Sequence, residues 1–481
     1  MIPPRLWTRL LVGVAVLAVA LAGALVPSAA QASTTIQVGP GRAYTTVKAA
    51  AAAAASGSVI EIDAGTYRGA EALLRLNGNK TLTIRGVGKV VLDAAGAAED
   101  GKGIFVVDNG TVTIENITFT NARVPDHNGA GIRLGDGHLT VRGCAFFNNE
   151  MGLLTDNLAS TTVELYDNEF AYSTATSAEG FTHNVYIGRN GLLVAEGNYS
   201  HHADGGHLFK SRAGVNIIRY NRFTDDNDPA TFRASYELDL PDGGQALVVG
   251  NIFGQSADGD NATVVSFARE NTDVWPANEL YVAHNTFLSD RPGISPLLGS
   301  DPSAKIVWQN NQAQSTLELN PQSTIVAQGG NATFTAGQLD AVSFLPDASL
   351  HAAQSGTTVA PALLPAALTS RGGSMTPTQQ YQHPASTSDI GPPVLPGAVQ
   401  VPGSTPPSPQ PSPTITVESP TPTTTDGVVT SAPTPGFPVV VFAVVAAVVL
   451  VALVAGGALV VTRRKLSHQP TVASPQQTSH H

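Results

Sequence analysis

The chain has 481 residues, with 26 Lys and Arg against 37 Asp and Glu, a formal net charge of −11 and 42% hydrophobic content. So acidic a balance disfavours nucleic acid as a partner and predicts no strong attraction to polyanions outside a locally basic cleft. The single cysteine, Cys144, excludes an intramolecular disulfide, so stability must come from burial and backbone pairing.

Arg5 and Arg9 precede an apolar run from Leu10 to Val26, and Pro27-Ser28-Ala29-Ala30-Gln31-Ala32 ends in the small-x-small spacing of a signal-peptidase site. Residues 1–32 are therefore expected to be a signal peptide cleaved after Ala32, because about 17 apolar residues are short for a membrane span. Tyr44 to Ala55 is Ala-rich and predicts a helix, suited to cap the open end of a repetitive core.

From Val59 onward, short β-branched runs recur between Gly, Asn and Asp: Val59-Ile60-Glu61-Ile62, Leu82-Thr83-Ile84, Val112-Thr113-Ile114, Leu139-Thr140-Val141, Val163-Glu164-Leu165 and Val248-Val249. These read as strands separated by turns. Many are followed by Asn and an aromatic: Asn116 with Phe119, Asn168 with Phe170, Asn198 with Tyr199, Asn221 with Phe223, Asn251 with Phe253 and Asn285 with Phe287. From Asn168 the anchors stand 30, 23, 30 and 34 residues apart, the length of one solenoid coil with variable loops. Stacked coils would set these Asn side chains in a hydrogen-bonded ladder, a structural role. A β-sandwich would not space the same pair at coil length. The expected fold is all-β: a right-handed parallel β-helix over residues 33–347 with an N-terminal capping helix.

The strand and turn Val59-Ile60-Glu61-Ile62-Asp63-Ala64-Gly65-Thr66-Tyr67, following an Ala-rich helix, resembles the N-terminal coil of the pectin-lyase-like superfamily. The resemblance spans about Ile36 to Gln312 and implies the β-helix; it does not assign a chemistry.

Only 13% of the chain is charged, yet Phe181 to Glu270 is dense in His, Lys, Arg, Asp and Glu. Asn184, His207 and Glu237 each stand 14 residues before their anchors Asn198, Asn221 and Asn251, which predicts that their stretches stack on one sheet. Val264 to Glu270 precedes Asn285 at a comparable offset. A charged row across successive coils makes an elongated groove suited to a polysaccharide chain, lined by His183, Tyr186, His207, Arg233, Asp242, Arg269 and Glu270 as substrate-binding candidates. The bland alternative is a solvated face with interstrand ion pairs.

Phe209-Lys210-Ser211 through Asn216 and Tyr220-Asn221-Arg222-Phe223 resembles the Lys-Ser…Asn…Asn-x-Phe stretch of polysaccharide lyase family six, the alginate and chondroitin B lyases. The resemblance implies Lys210 as the base of a β-elimination, in which a proton α to a uronate carboxylate is removed while cations neutralise the enolate. The Thr-Leu-Arg-His-Gly stretch that carries that family's acid falls where this chain reads Glu237-Leu238-Asp239-Leu240-Pro241. Arg212, Arg233 or Arg269 would have to substitute for it.

Counting from the Asn anchors places Lys210 level with Ile187 and Leu240, which face inward. Burying Lys210 and Arg212 would cost several kcal/mol, so a register shift exposing both beside Glu237 and Asp239 is expected. Lys210, Arg212, Glu237 and Asp239 are the catalytic candidates. A hydrolase would instead need paired carboxyls, about 5 Å apart for retention or roughly 6.5–9.5 Å for inversion, from among Asp225, Asp226, Glu237, Asp239 and Asp242. Asp225, Asp226 and Asp228 form a weak candidate loop for Ca²⁺, without a defined calcium motif. His201, His202 and His207 lack a second ligand set at zinc spacing. No cofactor is otherwise expected.

Strand-like text fades after about Leu345, and residues 348–436, above all the Pro-, Thr- and Ser-rich run from Pro384 to Pro435, predict an extended stalk that would reach on the order of 150 Å. Val439 to Val461 is uncharged and long enough to cross a bilayer, which predicts a transmembrane helix over 437–462. Arg463-Arg464-Lys465 would hold the tail, 463–481, in the cytoplasm and leave the β-helix outside. Two functions remain open: a membrane-anchored polysaccharide-degrading enzyme, with a lyase ahead of a hydrolase, and a noncatalytic surface module that binds glycan or serves as a rigid rod.

Overall fold

Short strands with one apolar face cannot bury it alone, and repeated at coil length they bury it by stacking on copies of themselves. The computed structural model describes residues 34–401 except 175–181, 226–232, 292–294, 300, 320 and 394. The chain divides into Met1–Gln410 and Pro411–His481, and every described residue lies in the first of these units. The expected signal peptide, transmembrane helix and tail, and the stalk beyond residue 401, lie outside the described residues. Among the described residues no helix is long and apolar enough to cross a membrane.

A representative coil runs through Thr162–Tyr166 on a first face, Glu169–Ala171 on a second and Val185–Ile187 on a third. Each strand pairs in parallel with its counterparts one coil before and after: Val163 is level with Leu139 and Leu193, and Phe170 with Phe146 and Ser200. The third face is a sheet of nine strands among the described residues. This is a parallel β-helix.

The Asn-aromatic repeat supplies both the ladder and the core. Asn168, Asn198, Asn221, Asn251 and Asn285 each donate Nδ2–H to the Oδ1 of the next, at 2.9–3.1 Å, ending on Asn311. That Oδ1 also accepts the preceding Asn backbone N–H, so a buried bend is fully bonded. Asn116 does not join the ladder. It occupies the left-handed position one residue earlier, with φ +54°, where later coils place Asp167, Tyr220 and His284. At the head of the ladder Cys144 gives its N–H to Asn168, and burial pushes its thiol pKa up to about 12. Phe119, Phe146 and Phe170 stack at 5.0 and 4.7 Å inside the coils, and Phe253 and Phe287 stack at 5.0 Å further along.

The capping helix is Val47–Ala53, with Thr46 Oγ1 accepting the Ala49 N–H and Val47, Ala50 and Ala51 turned onto the first coil. At the other end, the boundary expected at Asp347 is corrected. Residues 348–401 do not stand away as a stalk; they return along the coils as a strap. The strap comprises helices Ala348–Gln354 and Ala366–Thr369 and the hairpin Gln379–Gln382 with Ser386–Asp389. Leu368 and Met375 pack on an outward apolar row of the first face, Leu192, Val194, Ile217, Leu247, Val249 and Val307. Tyr381, Ala398 and Val399 cover Tyr199 and Ile252 of the second face. The Pro-, Ser- and Thr-rich text conceals these few large side chains, whose partners are apolar residues on the outside of the coils.

Candidate functional site

Strand alternation on the third face turns Val106, Arg133, Leu154, Tyr186, Lys210, Asp239 and Ser266 outward, one per coil and level with one another. Five residues carry the chain from Lys210 to Val215, against six from Tyr186 to Leu192 and six from Asp239 to Gln245. That one shorter turn is why counting back from the Asn anchors puts Lys210 level with Ile187. Its partners are Tyr186 and Asp239, on the outer surface.

The row becomes a charged network where Lys210–Ser211, Leu238–Leu240 and the turns after them meet. Lys210 Nζ lies 3.0 Å from Asp239 and 3.9 Å from Glu270. Arg212 donates to Tyr186 Oη at 2.9 Å, to Glu270 at 2.6 Å and to Asp242. Asp242 also accepts from Arg189 Nε at 2.7 Å and Asn271 Nδ2 at 3.1 Å. The Lys210 and Asp239 side chains are 9% and 4% exposed and that of Asp242 is 0%, whereas Glu270 is 45% exposed.

Three residues before each outward position, a ring stack runs alongside the row. His183 and His207 lie 4.6 Å apart between centroids, and His207 and Tyr236 lie 5.1 Å apart. His183 Nδ1 accepts the His207 backbone N–H at 2.8 Å, and His207 Nδ1 accepts that of Tyr236 at 3.2 Å. With Nδ1 accepting, the ring proton lies on Nε2, and Nε2 of His207 points to Asp239 Oδ2 at 3.3 Å. Arg269 donates to the Tyr236 hydroxyl at the rim.

Burial opposes the charge on Asp239, but His207 and Lys210 outweigh it and hold the carboxyl well below its usual range. Burial opposes Asp242 in the same way, and the bonds from Arg189 and Asn271 with the Arg212 charge hold it low. Burial, with the charge of nearby Lys210, pushes His183 well below an ordinary histidine and keeps it neutral.

Two expected members are elsewhere. Glu237 is level with Leu208 and Val264 and faces the interior, fully buried, where neither carboxyl oxygen finds a hydrogen bond. It cannot touch a ligand on the outer surface and leaves the catalytic set. Burial pushes its pKa well above the carboxylate range, and nearby Asp225 adds to the effect. Asp225 itself is buried, with Oδ2 accepting the Ala234 N–H at 2.9 Å. Arg233 is exposed, and no ion pair joins it to the network among the described residues. Asp226 and Asp228 lie outside the described residues, among which no three His, Cys, Asp or Glu are placed to hold a metal ion.

The state of Glu237 has a measurable sign. A raised folded-state pKa contributes stability that is present below the unfolded value, near 4.5, and is lost as pH rises toward the folded value. Glu237→Gln, which keeps the shape and removes the ionisation, is expected to gain in Tm over the wild type progressively as pH is raised above 4.5. Thermal melts across pH that show a constant difference would refute a buried protonated carboxyl.

Sequence reasoning missed Arg189, Asn271 and Trp275. Arg189 lies in the turn after Val185–Ile187, as Arg212 lies in the turn after Lys210–Ser211, and that shared place was the available signal. Trp275 Nε1–H bonds the Arg212 carbonyl at 3.1 Å, and its ring covers Gly214 so closely that a Cβ there would meet it at 2.9 Å.

The paired three-faced coils make a parallel β-helix with a charged cluster on one outer face. No protein-family model and no curated protein matches the chain. Solved structures similar to it include the crystal structure of pectate lyase Pel9A, at 15% identity and a TM-score of 0.44, covering 65% of this chain and 86% of that one. At that distance the chemistry must be argued from this chain's own residues.

Proposed function

We propose that the protein is an exported β-helix that binds a uronate-containing polysaccharide along its third face and cleaves it by β-elimination. The observation that supports this is the outward cluster of four cations, Arg189, Lys210, Arg212 and Arg269, around three carboxylates, Asp239, Asp242 and Glu270. It is a locally cationic site on an acidic protein. Buried charge pairs add little to stability, and other coils fill the same outward position with Val106 or Leu154, so the solenoid has no structural need of them. The strap covers the other two faces and its apolar contacts are made there.

In this reading Lys210 and Arg212 neutralise the uronate carboxylate and the enolate that grows from it. The leader and the apolar run near the C-terminus support export and a membrane tether. A hydrolase is less well supported, because Asp239 and Asp242 are held ionised and the one carboxyl held protonated, Glu237, faces inward. A noncatalytic glycan-binding module is the second reading, favoured by the carboxylate partner that Lys210, Arg212 and Arg189 each already have.

The full chain incubated with a panel of uronic-acid polysaccharides is expected to release unsaturated ends, followed by ultraviolet absorbance. Arg212→Gln is expected to lower the rate about 10²–10³-fold, as for removal of one oxyanion donor. Binding by calorimetry without product would favour the noncatalytic module, and neither binding nor product would end both readings.

A further inference from the structure

The cluster leaves one group free to move the proton, and it is not the lysine. We propose that Tyr186 takes the proton α to the uronate carboxylate and delivers it to the leaving oxygen, an inference that rests on the lyase reading above.

Lys210 Nζ is 3.0 Å from Asp239 and 3.9 Å from Glu270, so the amine is already engaged by carboxylates. Both nitrogens of His207 are engaged, one by the Tyr236 N–H and the other by Asp239. The ring of His183 is buried beneath His207, with Nδ1 occupied. The Tyr236 ring is buried, and its hydroxyl is tied to Arg269 at the rim.

Tyr186 differs from all of these. It is half-buried, stands level with Lys210 in the outward row, and its Oη accepts a single hydrogen bond, from Arg212 Nε at 2.9 Å. Lys210 Nζ and Arg212 Cζ lie 5.5 and 5.9 Å from its ring centroid. The phenolic oxygen therefore touches one of the two cations that would hold a substrate carboxylate, and its ring lies near the other.

The step balances without a further reactant. The phenolate oxygen takes the α-hydrogen as a proton, and the C–H electron pair forms the double bond between the α- and β-carbons. The bond from the β-carbon to the glycosidic oxygen breaks, and that oxygen receives the proton from the Tyr186 hydroxyl. Phenolate is regenerated, and the products are an unsaturated uronate end and a new hydroxyl end.

The test compares wild type, Tyr186→Phe and Lys210→Met in the full chain on whichever uronic-acid polysaccharide the wild type cleaves, with Tm recorded for each. Tyr186→Phe is expected to keep its fold and KM while kcat falls about 10²–10⁴-fold, the usual contribution of a positioned acid–base group. Lys210→Met is expected to act mainly through KM. Wild-type cleavage with kcat of Tyr186→Phe within about tenfold would overturn the tyrosine and leave the lyase reading standing. Absence of cleavage by wild type on every uronate polymer would overturn both.

Discussion

A chain ending at Asp347 is expected to unfold on the order of 10 °C below a chain ending at Val401, and to aggregate as it does so. The strap buries Leu368, Met375, Tyr381, Leu395, Ala398 and Val399. Each large apolar side chain among them is worth about 1.5–3 kcal/mol when fully buried, a gain partly offset by the entropy of ordering the segment. Its removal would also uncover Leu192, Val194, Ile217, Leu247, Val249 and Val307, a continuous apolar stripe of the kind that drives association. Polar anchors would go as well: the Thr378 N–H donates to Tyr220 Oη at 3.1 Å, and the Ala398 N–H to Thr286 Oγ1 at 3.0 Å. In a solenoid each coil contacts only its neighbours, so the loss should stay local. Hydrogen exchange should show the strands from Ser58 to Arg142 still protected and those from Leu192 to Gln312 opened. Equal melting temperatures for the two truncations would show that the strap only rests on the coils.

The solenoid could be read from its text because its repeat is chemical as well as periodic. An Asn that donates and accepts along a buried bend, followed by a ring that stacks on itself, can recur at coil length in few other folds. The strap could not be read so, since its composition is that of a linker and its partners are apolar residues on the outer face of distant coils. For the site, the charged stretch was legible and the register within it was not. One residue fewer in the turn between Lys210 and Val215 moved Lys210 onto the outer row. Glu237 went the other way, because the position two residues before each of Tyr186, Lys210 and Asp239 turns inward at a bend. Leu208 and Asn184 occupy the same level one and two coils earlier, and both are buried.

The second large effect concerns the Lys210–Asp239 pair. Asp239→Leu is expected to cost about 3–5 kcal/mol, because it leaves the Lys210 ammonium nearly buried with only Glu270, at 3.9 Å, as partner. Adding Lys210→Met should restore most of that loss, since replacing a buried ion pair by apolar side chains of similar volume is often neutral. The remaining deficit is His207 Nε2–H, which loses its acceptor, at about 1–3 kcal/mol. The pair also shapes the acid limb of stability. The Asp239 pKa is depressed on folding, so its contribution is present above the unfolded value, near 3.8, and is lost as pH falls through the folded value. Asp239→Leu should flatten that limb while leaving the opposite one, from Glu237, in place. Chemical denaturation of the two single variants and the double variant gives the coupling, and the same proteins assayed on polysaccharide separate the two reasons such a pair could exist. If it is only a strut, the double variant regains stability and still binds glycan. If it is the floor of a site, stability returns and binding does not, because two apolar side chains cannot meet a carboxylate and hydroxyls where Lys210 and Asp239 do.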